Sequence, residues 1–216
     1  MFARAKNFFT SPQTQLKWWE VIFLFAIAAA VLWLGLMTAQ QRRLADSMLR
    51  LHVVANSDGE EDQALKLKVR DAVLSCAEGW LEGVDDPKEA EAVLSQHLSE
   101  LEQAGEQVTQ ENGYSYPVKA SLEQVHFPTK YYDGFALPAG EYRALRVVLG
   151  EGAGHNWWCV VFPGLCVAPA SEWQEVAVSG GMSESDVELM EENESGYILR
   201  FRCLEWLDAL QQRLAH

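Results

Sequence analysis

LRLHVVANSDG, at residues 49–59, carries the clearest structural signal in this 216-residue chain. Its first seven residues alternate into an apolar run, which is typical of a buried β-strand. The run Asn56-Ser57-Asp58-Gly59 consists of turn-forming residues and ends that strand. Asp58 and Glu61 have the spacing of a capping box, so we expect a helix to begin near Asp58.

Two amphipathic helices are predicted after this strand. The first has apolar residues at steps of three and four, namely Leu65, Val69, Ala72, Val73, Cys76 and Trp80. The second begins at Asp86, an N-cap that Pro87 follows at the first helical position and Glu89 completes as a capping box. Its apolar stripe consists of Ala90, Leu94, Leu98, Leu101, Ala104 and Val108, and Asn112-Gly113 ends it.

The apolar period changes to that of strands after residue 113. We predict strands at 117–127, 142–149 and 157–162. The third is continuously apolar and is therefore expected to be central in a sheet. Residues 151–154 are predicted to join the last two strands as a hairpin loop.

Residues 168–195 are rich in Ser, Gly and Glu, and predict a long, mobile, acidic loop. A strand at 197–203 and an amphipathic helix at 205–214 are predicted to close the chain. The order of elements, β-α-α-β-β-β-β-α, predicts an α+β fold in which a mostly antiparallel sheet has helices on one face.

An uncharged apolar run of 17 residues, 21–37, precedes this domain and follows Trp18 and Trp19. Together they just reach the ~20 residues that a membrane-spanning helix needs. Basic residues lie on both sides of the run, at Arg4, Lys6, Lys17, Arg42 and Arg43. The three that precede it favour a cytoplasmic N-terminus, and no second apolar run returns the chain.

The pattern favours an uncleaved anchor over a cleaved signal peptide, because the run is long and Met37-Thr38-Ala39 is a poor cleavage site. A buried core helix is disfavoured, since the run has no polar face. The predicted division is a cytoplasmic N-terminus at 1–17, a transmembrane or signal segment at 18–38, a linker at 39–48 and an extracytoplasmic α+β domain at 49–216. Residues 44–48 suit either a linker or a helical extension.

The charge is distributed unevenly along the chain. The net charge is -14, and residues 1–43 carry five basic residues against Glu20, so the remainder carries -18. Such a domain repels phosphate backbones, which argues against a nucleic-acid partner. Four cysteines are too few for a disulfide scaffold, but one or two bridges suit an oxidising compartment.

No catalytic residue, metal site or cofactor is predicted. Cys159 together with His52, His126 or His155 could form a nucleophilic pair, but Cys159 lies in an apolar strand where nothing lowers its pKa. A metal site from His52, His126 and Asp58 is disfavoured, since isolated histidines are more often packed or solvated. The alternative to a binding protein is an extracytoplasmic enzyme such as a cell-wall hydrolase, which needs a concave site with converging polar groups.

Two segments suit a partner-binding surface. Asn56-Ser57-Asp58 could contact a partner or simply cap the next helix, and the aromatic residues of 127–135 could form a hot spot or cover the core. Trp157 and Trp158 should face opposite sides of their strand, one in the core and one exposed. The candidate partner-binding residues are His52, Asn56, Asp58, Lys130, Tyr131, Tyr132, Phe135 and Trp157.

Cys159 and Cys166 are candidates for a disulfide. Pro163-Gly164 favours a chain reversal between them. In a tight hairpin the two would be diagonal, with Cα atoms about 7–8 Å apart, whereas a bridge usually needs ~4.4–6.8 Å. A bulge or wider loop would have to shorten that gap; otherwise both are small buried hydrophobic residues.

Three blocks of sequence resemble the stage II sporulation protein R family. They are LRLHVVANSD (49–58) with EDQALKLKVRDAV (61–73); FPTKYY (127–132) with FALPAGEY (135–142) and LRV (145–147); and GEG (150–152) with NWWCVVFP (156–163) and LC (165–166). The resemblance covers about residues 49–166, and residues 168–195 match no motif.

The resemblance implies a function in sporulation. Proteins of this family are made in the forespore and exported, to the forespore membrane or the space between forespore and mother cell. There they activate a membrane-embedded aspartic protease that processes the precursor of sigma-E. The resemblance implies no catalytic residue.

Overall fold

A four-stranded sheet organises the domain. The computed structural model describes residues 17–166, 168 and 171–191. Its elements are α1 (Trp18–Asp46), β1 (Leu49–Val54), α2 (Glu60–Leu81), α3 (Pro87–Gln96), α4 (Leu98–Glu111), β2 (Val118–Phe127), β3 (Lys130–Tyr131), β4 (Ala136–Leu137), β5 (Gly140–Leu149), β6 (Asn156–Phe162), α5 (Trp173–Ser179) and α6 (Glu184–Met190). The predicted strand at 197–203, the helix at 205–214 and the start of the chain at 1–16 lie outside the described residues.

The strand order is β2-β5-β1-β6. β2 pairs antiparallel with β5, β5 parallel with β1, and β1 antiparallel with β6. Leu51 in the middle of β1 therefore lies between Leu145 and Cys159. β3 and β4 form a separate two-stranded antiparallel ribbon. The α+β class with a mostly antiparallel sheet is confirmed.

Two details of the predicted sheet are wrong. In the part of the chain that the structure describes, β6 is an edge strand, and β5 and β6 do not form a hairpin because β1 lies between them. The chain from β5 to β6 instead crosses the end of β1, where Ala153 N donates to Asn56 O at 3.1 Å and Gly154 N to Ala55 O at 3.0 Å. Position 154 requires glycine, because a Cβ there would overlap the carbonyl of Ser57.

α2, α3 and α4 cover one face of the sheet. Alternate strand residues meet them in one buried cluster that includes Leu49, Leu51, Val53, Leu145, Val147 and Leu149. Asp86 is the N-cap of α3, and its Oδ1 accepts from the backbone N–H groups of Lys88 and Glu89. This confirms Asp86 as the predicted N-cap.

The boundaries of the predicted helices differ in two places. α2 begins at Glu60, close to the predicted start near Asp58, but no side chain caps it, so the predicted capping box is wrong. The second predicted helix is two helices, α3 and α4, which meet at His97 with φ -115° and ψ 17°. The His97 ring stacks on Trp80 of α2 with 4.3 Å between the ring centroids, so the residue at the break packs against α2.

The other face of the sheet has a second buried cluster, which the sequence did not predict. It includes Phe127, Tyr142, Val160, Trp173, Met182 and Met190. α5 and α6 lie within residues 168–195, so the loop predicted there is wrong over both helices. Trp173 and Ala177 are buried and lie one helical turn apart, as expected for a helix that packs on a core.

α1 is long and apolar enough to cross a membrane. The helix continues to Asp46, which agrees with the predicted helical extension rather than a linker. The chain divides after Gln40 into two units, the N-terminal segment and the domain. Within the domain, Leu44 and Met48 are buried in the second cluster.

Candidate partner-binding site

The β3–β4 hairpin presents one aromatic residue to solvent. Lys130 pairs with Leu137 and Tyr131 with Ala136, and Tyr132 N donates to Phe135 O at 2.8 Å to close the turn. The Tyr131 side chain is 60% exposed. Among the described residues of the domain, Val178 is the only other large apolar residue that is exposed, and its exposed fraction is 48%.

The neighbouring rings of the hairpin face the core. Phe135 is buried and stacks on Tyr132 at 4.7 Å, and it also contacts Trp173 at 5.1 Å. The Tyr132 hydroxyl accepts from Arg50 Nη2 at 2.7 Å and donates to Trp158 O at 3.2 Å. Tyr132 and Phe135 therefore fix the hairpin to the domain, and Tyr131 with half-buried Lys130 remains as its outer surface.

His52 and Trp157 also face inward. His52 is buried in β1, stacks on Trp158 at 4.1 Å, and has Nε2 2.9 Å from Asn156 Oδ1. Burial lowers the pKa of His52, since desolvation disfavours the charged ring. Trp157 lies on the opposite face under the guanidinium of Arg70, at 4.4 Å from the ring centroid. The two tryptophans face opposite sides of the strand as predicted, but both are half-buried, so neither has the exposed position expected for one of them.

Polar residues after β1 form a network around the carboxylate of Asp62. It accepts from Asn56 Nδ2 at 2.8 Å, Ser57 Oγ at 2.6 Å and the Tyr116 hydroxyl at 2.9 Å. The hydrogen bond from Ser57 is the main cause that lowers the pKa of Asp62. Asn56 Oδ1 also accepts from the backbone N–H of Glu151 at 3.0 Å. The network joins β1, α2 and the β5–β6 connection.

Asp58 holds the same connection from outside. Its Oδ1 accepts from the backbone N–H of His155 at 2.6 Å and lies against the His155 ring nitrogen Nδ1. The hydrogen bond from the His155 side chain lowers the pKa of Asp58. Asn56 and Asp58 thus have structural contacts that the sequence did not predict, and neither side chain caps α2.

The structure does not assemble a Cys-His pair. Cys159 and Cys166 form a disulfide with a Cα separation of 5.7 Å, which leaves Cys159 no thiolate. His155 lies beside Asp58, and His126 Nδ1 lies 3.2 Å from Glu141 Oε1. In the described part of the chain, no three His, Cys, Asp or Glu side chains come close enough together to hold a metal ion.

A concave surface of about 1100 Å³ lies beside the disulfide. The end of α2, residues 82–85, the end of β6 and α5 line it. Its ionisable lining residues, Glu78, Glu82 and Asp85, are all exposed. Among the described residues that line it, no buried polar side chains converge as a catalytic centre would require.

Sequence reasoning singled out the aromatic segment 127–135 but neither its hairpin nor Arg50. This residue is fully buried and supports Tyr132, as described above. The available signal was a cation inside an apolar strand, where an unpaired charge is costly and needs an explanation.

These features describe an α+β domain that follows an apolar N-terminal helix suited to membrane anchoring or secretion, with an exposed tyrosine on a short hairpin. The family model for stage II sporulation protein R matches residues 45–172. Stage II sporulation protein R of Bacillus subtilis (strain 168) is 31% identical over 185 residues, which cover 77% of this chain and 83% of that protein. No solved structure matches the chain. The chain belongs to the stage II sporulation protein R family, which supports a signalling role in sporulation.

Proposed function

We propose that this protein is an exported sporulation signal that activates a membrane-embedded aspartic protease. The protease then processes the precursor of sigma-E in the mother cell. In this proposal the domain acts from the forespore membrane, or from the space between forespore and mother cell. It works by binding and does not itself catalyse a reaction.

Membership of the family is the observation that carries the proposal. The apolar helix α1 supports it, because a protein that meets a membrane protease outside the cytoplasm must be exported or anchored. The negative charge of the domain supports a protein partner rather than a nucleic acid.

We further propose that Tyr131 and Lys130 contribute to the surface that binds the protease. An exposed tyrosine on a fixed backbone contributes a large contact area at low entropic cost, which is typical of binding hot spots. Asp58 is exposed as well, but its contacts to His155 account for its position without a partner.

Deletion of the gene in its sporulating host tests the proposal. Processed sigma-E should be absent from an immunoblot of the deletion strain and should return when the wild-type gene is restored. Normal processing in the deletion strain would contradict the proposed function.

The alternative of a cell-wall hydrolase has one observation in its favour, the concave surface beside the disulfide. In the gene-restored strain, a Glu78→Gln/Glu82→Gln/Asp85→Asn variant separates the two functions. A hydrolase that uses these carboxylates loses its activity on purified cell wall, whereas the proposed signal continues to support processing of sigma-E.

A further inference from the structure

Arg50 is an arginine buried without a carboxylate partner among the described residues. It lies in β1 on the face opposite α2–α4, and its side chain is completely inaccessible to solvent. The guanidinium carbon lies 4.2 Å from the ring centroid of Phe127, 4.9 Å from that of Tyr142 and 6.0 Å from that of Tyr132. Three rings therefore surround the cation.

Its hydrogen bonds connect three parts of the chain. Nε donates to the carbonyl of Cys159 in β6 at 2.7 Å, and Nη2 donates to the Tyr132 hydroxyl at 2.7 Å. Nη1 has no hydrogen-bond partner among the described residues. The Tyr132 hydroxyl in turn donates to the carbonyl of Trp158, so arginine and tyrosine together fix the hairpin to two successive carbonyls of β6.

Burial of the Arg50 guanidinium costs free energy that an apolar residue filling the same space would not. A guanidinium loses its hydration on burial, and the neutral acceptors and rings around it return only part of that energy. Apolar residues of similar volume often replace buried charges without loss of stability. The contact between Arg50 and the hairpin is therefore better explained by a role in positioning the hairpin than by core packing.

The alternation of side chains along the hairpin explains how Arg50 positions it. Tyr131 is the last residue of β3, and Tyr132 follows it with its backbone N–H bonded to Phe135 O across the turn. Consecutive side chains of such a paired backbone point to opposite sides. A contact that holds the Tyr132 ring inward therefore also holds the Tyr131 ring outward. Exposed Tyr131 and half-buried Tyr132 agree with this arrangement.

We propose that Arg50 is the positioning residue of the β3–β4 hairpin, which holds Tyr132 inward so that Tyr131 is presented to the partner. The part of this inference that concerns the partner rests on the function proposed above for Tyr131. Lysine cannot replace arginine here, because an ammonium lacks the planar fork that reaches both Cys159 O and the Tyr132 hydroxyl.

Amide hydrogen exchange of the full-length protein in detergent tests the positioning role without any partner. Arg50→Lys keeps the charge and removes the fork, and Tyr132→Phe removes only the hydroxyl. Both should speed exchange in the 130–137 hairpin roughly tenfold, as expected for loss of one hydrogen bond from a charged donor. Exchange in β1 and β5 should stay unchanged in Tyr132→Phe, which keeps the test valid if Arg50→Lys does not fold.

The double variant should exchange no faster in the hairpin than the faster single variant, because the two residues share one contact. Wild-type hairpin exchange in Tyr132→Phe would overturn the proposal, as would an equal increase throughout the sheet. A loosened hairpin with normal sigma-E processing would leave the positioning role intact and overturn the role of the hairpin in signalling. Tyr131→Ala serves as the matched control, since it should impair processing without changing hairpin exchange.

Discussion

Tyr131 and Tyr132 are neighbours in the sequence with opposite environments, and this difference separates binding from stability. Tyr131 is 60% exposed, whereas the Tyr132 ring packs on Phe135 and its hydroxyl bonds to Arg50. Truncation of the first therefore removes surface, and truncation of the second opens the core.

We predict that Tyr131→Ala reduces processing of sigma-E and leaves the melting temperature within a degree or two, since exposed positions change stability little. Tyr132→Ala should lower the free energy of unfolding by about 2–4 kcal/mol, because a packed ring and two hydrogen bonds are lost. Thermal unfolding and the sigma-E immunoblot measure the two effects. Full processing with a folded Tyr131→Ala protein would show that this tyrosine is not part of the partner surface.

Asp62 is the acceptor at the centre of the network after β1, and its substitution has a pH-dependent effect. Asp62→Asn leaves the hydroxyls of Ser57 and Tyr116 with a poorer acceptor, so we expect a loss of about 1–3 kcal/mol at neutral pH. The folded pKa of Asp62 is lowered, so its contribution is complete above the ordinary carboxyl pKa of about 4. It is lost as the pH falls from there through the folded pKa.

The difference in urea stability between wild type and Asp62→Asn should therefore shrink below about pH 4. Tyr116→Phe is the matched control, because it removes one donor and keeps the carboxylate. A difference that stays constant from pH 7 to pH 3 would contradict the assignment of this carboxylate.

The direction of individual side chains was the part of the site that the sequence could not predict. The aromatic composition of 127–135 identified the segment, but whether each ring faces solvent depends on the short pairing of β3 with β4. His52 follows the same rule. It lies on a face that a second core covers, and the residues of that core are distant in the sequence.

At the scale of elements, the sequence predicted correctly those features that depend on residues close together in the chain. The N-cap at Asp86 is an example, because its partners are two and three residues away. The hairpin predicted at 151–154 is the opposite case. Adjacent strands usually pair, but here β1 from a distant part of the chain lies between β5 and β6. The composition of residues 168–195 predicted a loop, but α5 and α6 form there, and each has a buried apolar side.

The Cys159–Cys166 disulfide closes the end of β6 and depends on the turn that follows it. Leu165 N donates to Pro163 O at 2.6 Å, and Cys166 N then donates to Val160 O at 3.3 Å. Cys166 therefore pairs with Val160, one residue further from the turn than in the tight hairpin considered from sequence, and the Cα separation is 5.7 Å rather than a diagonal 7–8 Å.

We predict that mass spectrometry of the exported, unreduced protein finds a peptide that links Cys159 to Cys166. The short loop means that reduction should destabilise the domain by no more than about 3 kcal/mol through loop closure. A Cys159→Ser/Cys166→Ser variant is the control for the linked peptide. Four free thiols in the exported protein would rule the bridge out.

For the molecule as a whole, the distribution of charge and hydropathy decides which compartment each part occupies. The basic residues flank an apolar helix, whereas the domain that follows is strongly acidic. Orientation depends on Lys and Arg near the helix ends far more than on Asp and Glu, and a long domain crosses largely regardless of its charge. The acidic domain is therefore no obstacle to export.

We predict a cytoplasmic N-terminus and an extracytoplasmic domain. Three basic residues precede the apolar run and two follow it, so the charge difference alone is small. The domain nevertheless has a candidate disulfide, which persists outside the reducing cytoplasm, and this second observation favours export.

A reporter that is active only outside the cytoplasm should therefore be active when fused after His216 and inactive when fused after Lys17. An anchor predicts that the first fusion stays full-length in the membrane fraction, whereas cleavage predicts a shorter soluble product. Activity of a cytoplasmic reporter alone at His216 would reverse the orientation and remove the basis for an encounter with a protease outside the cytoplasm.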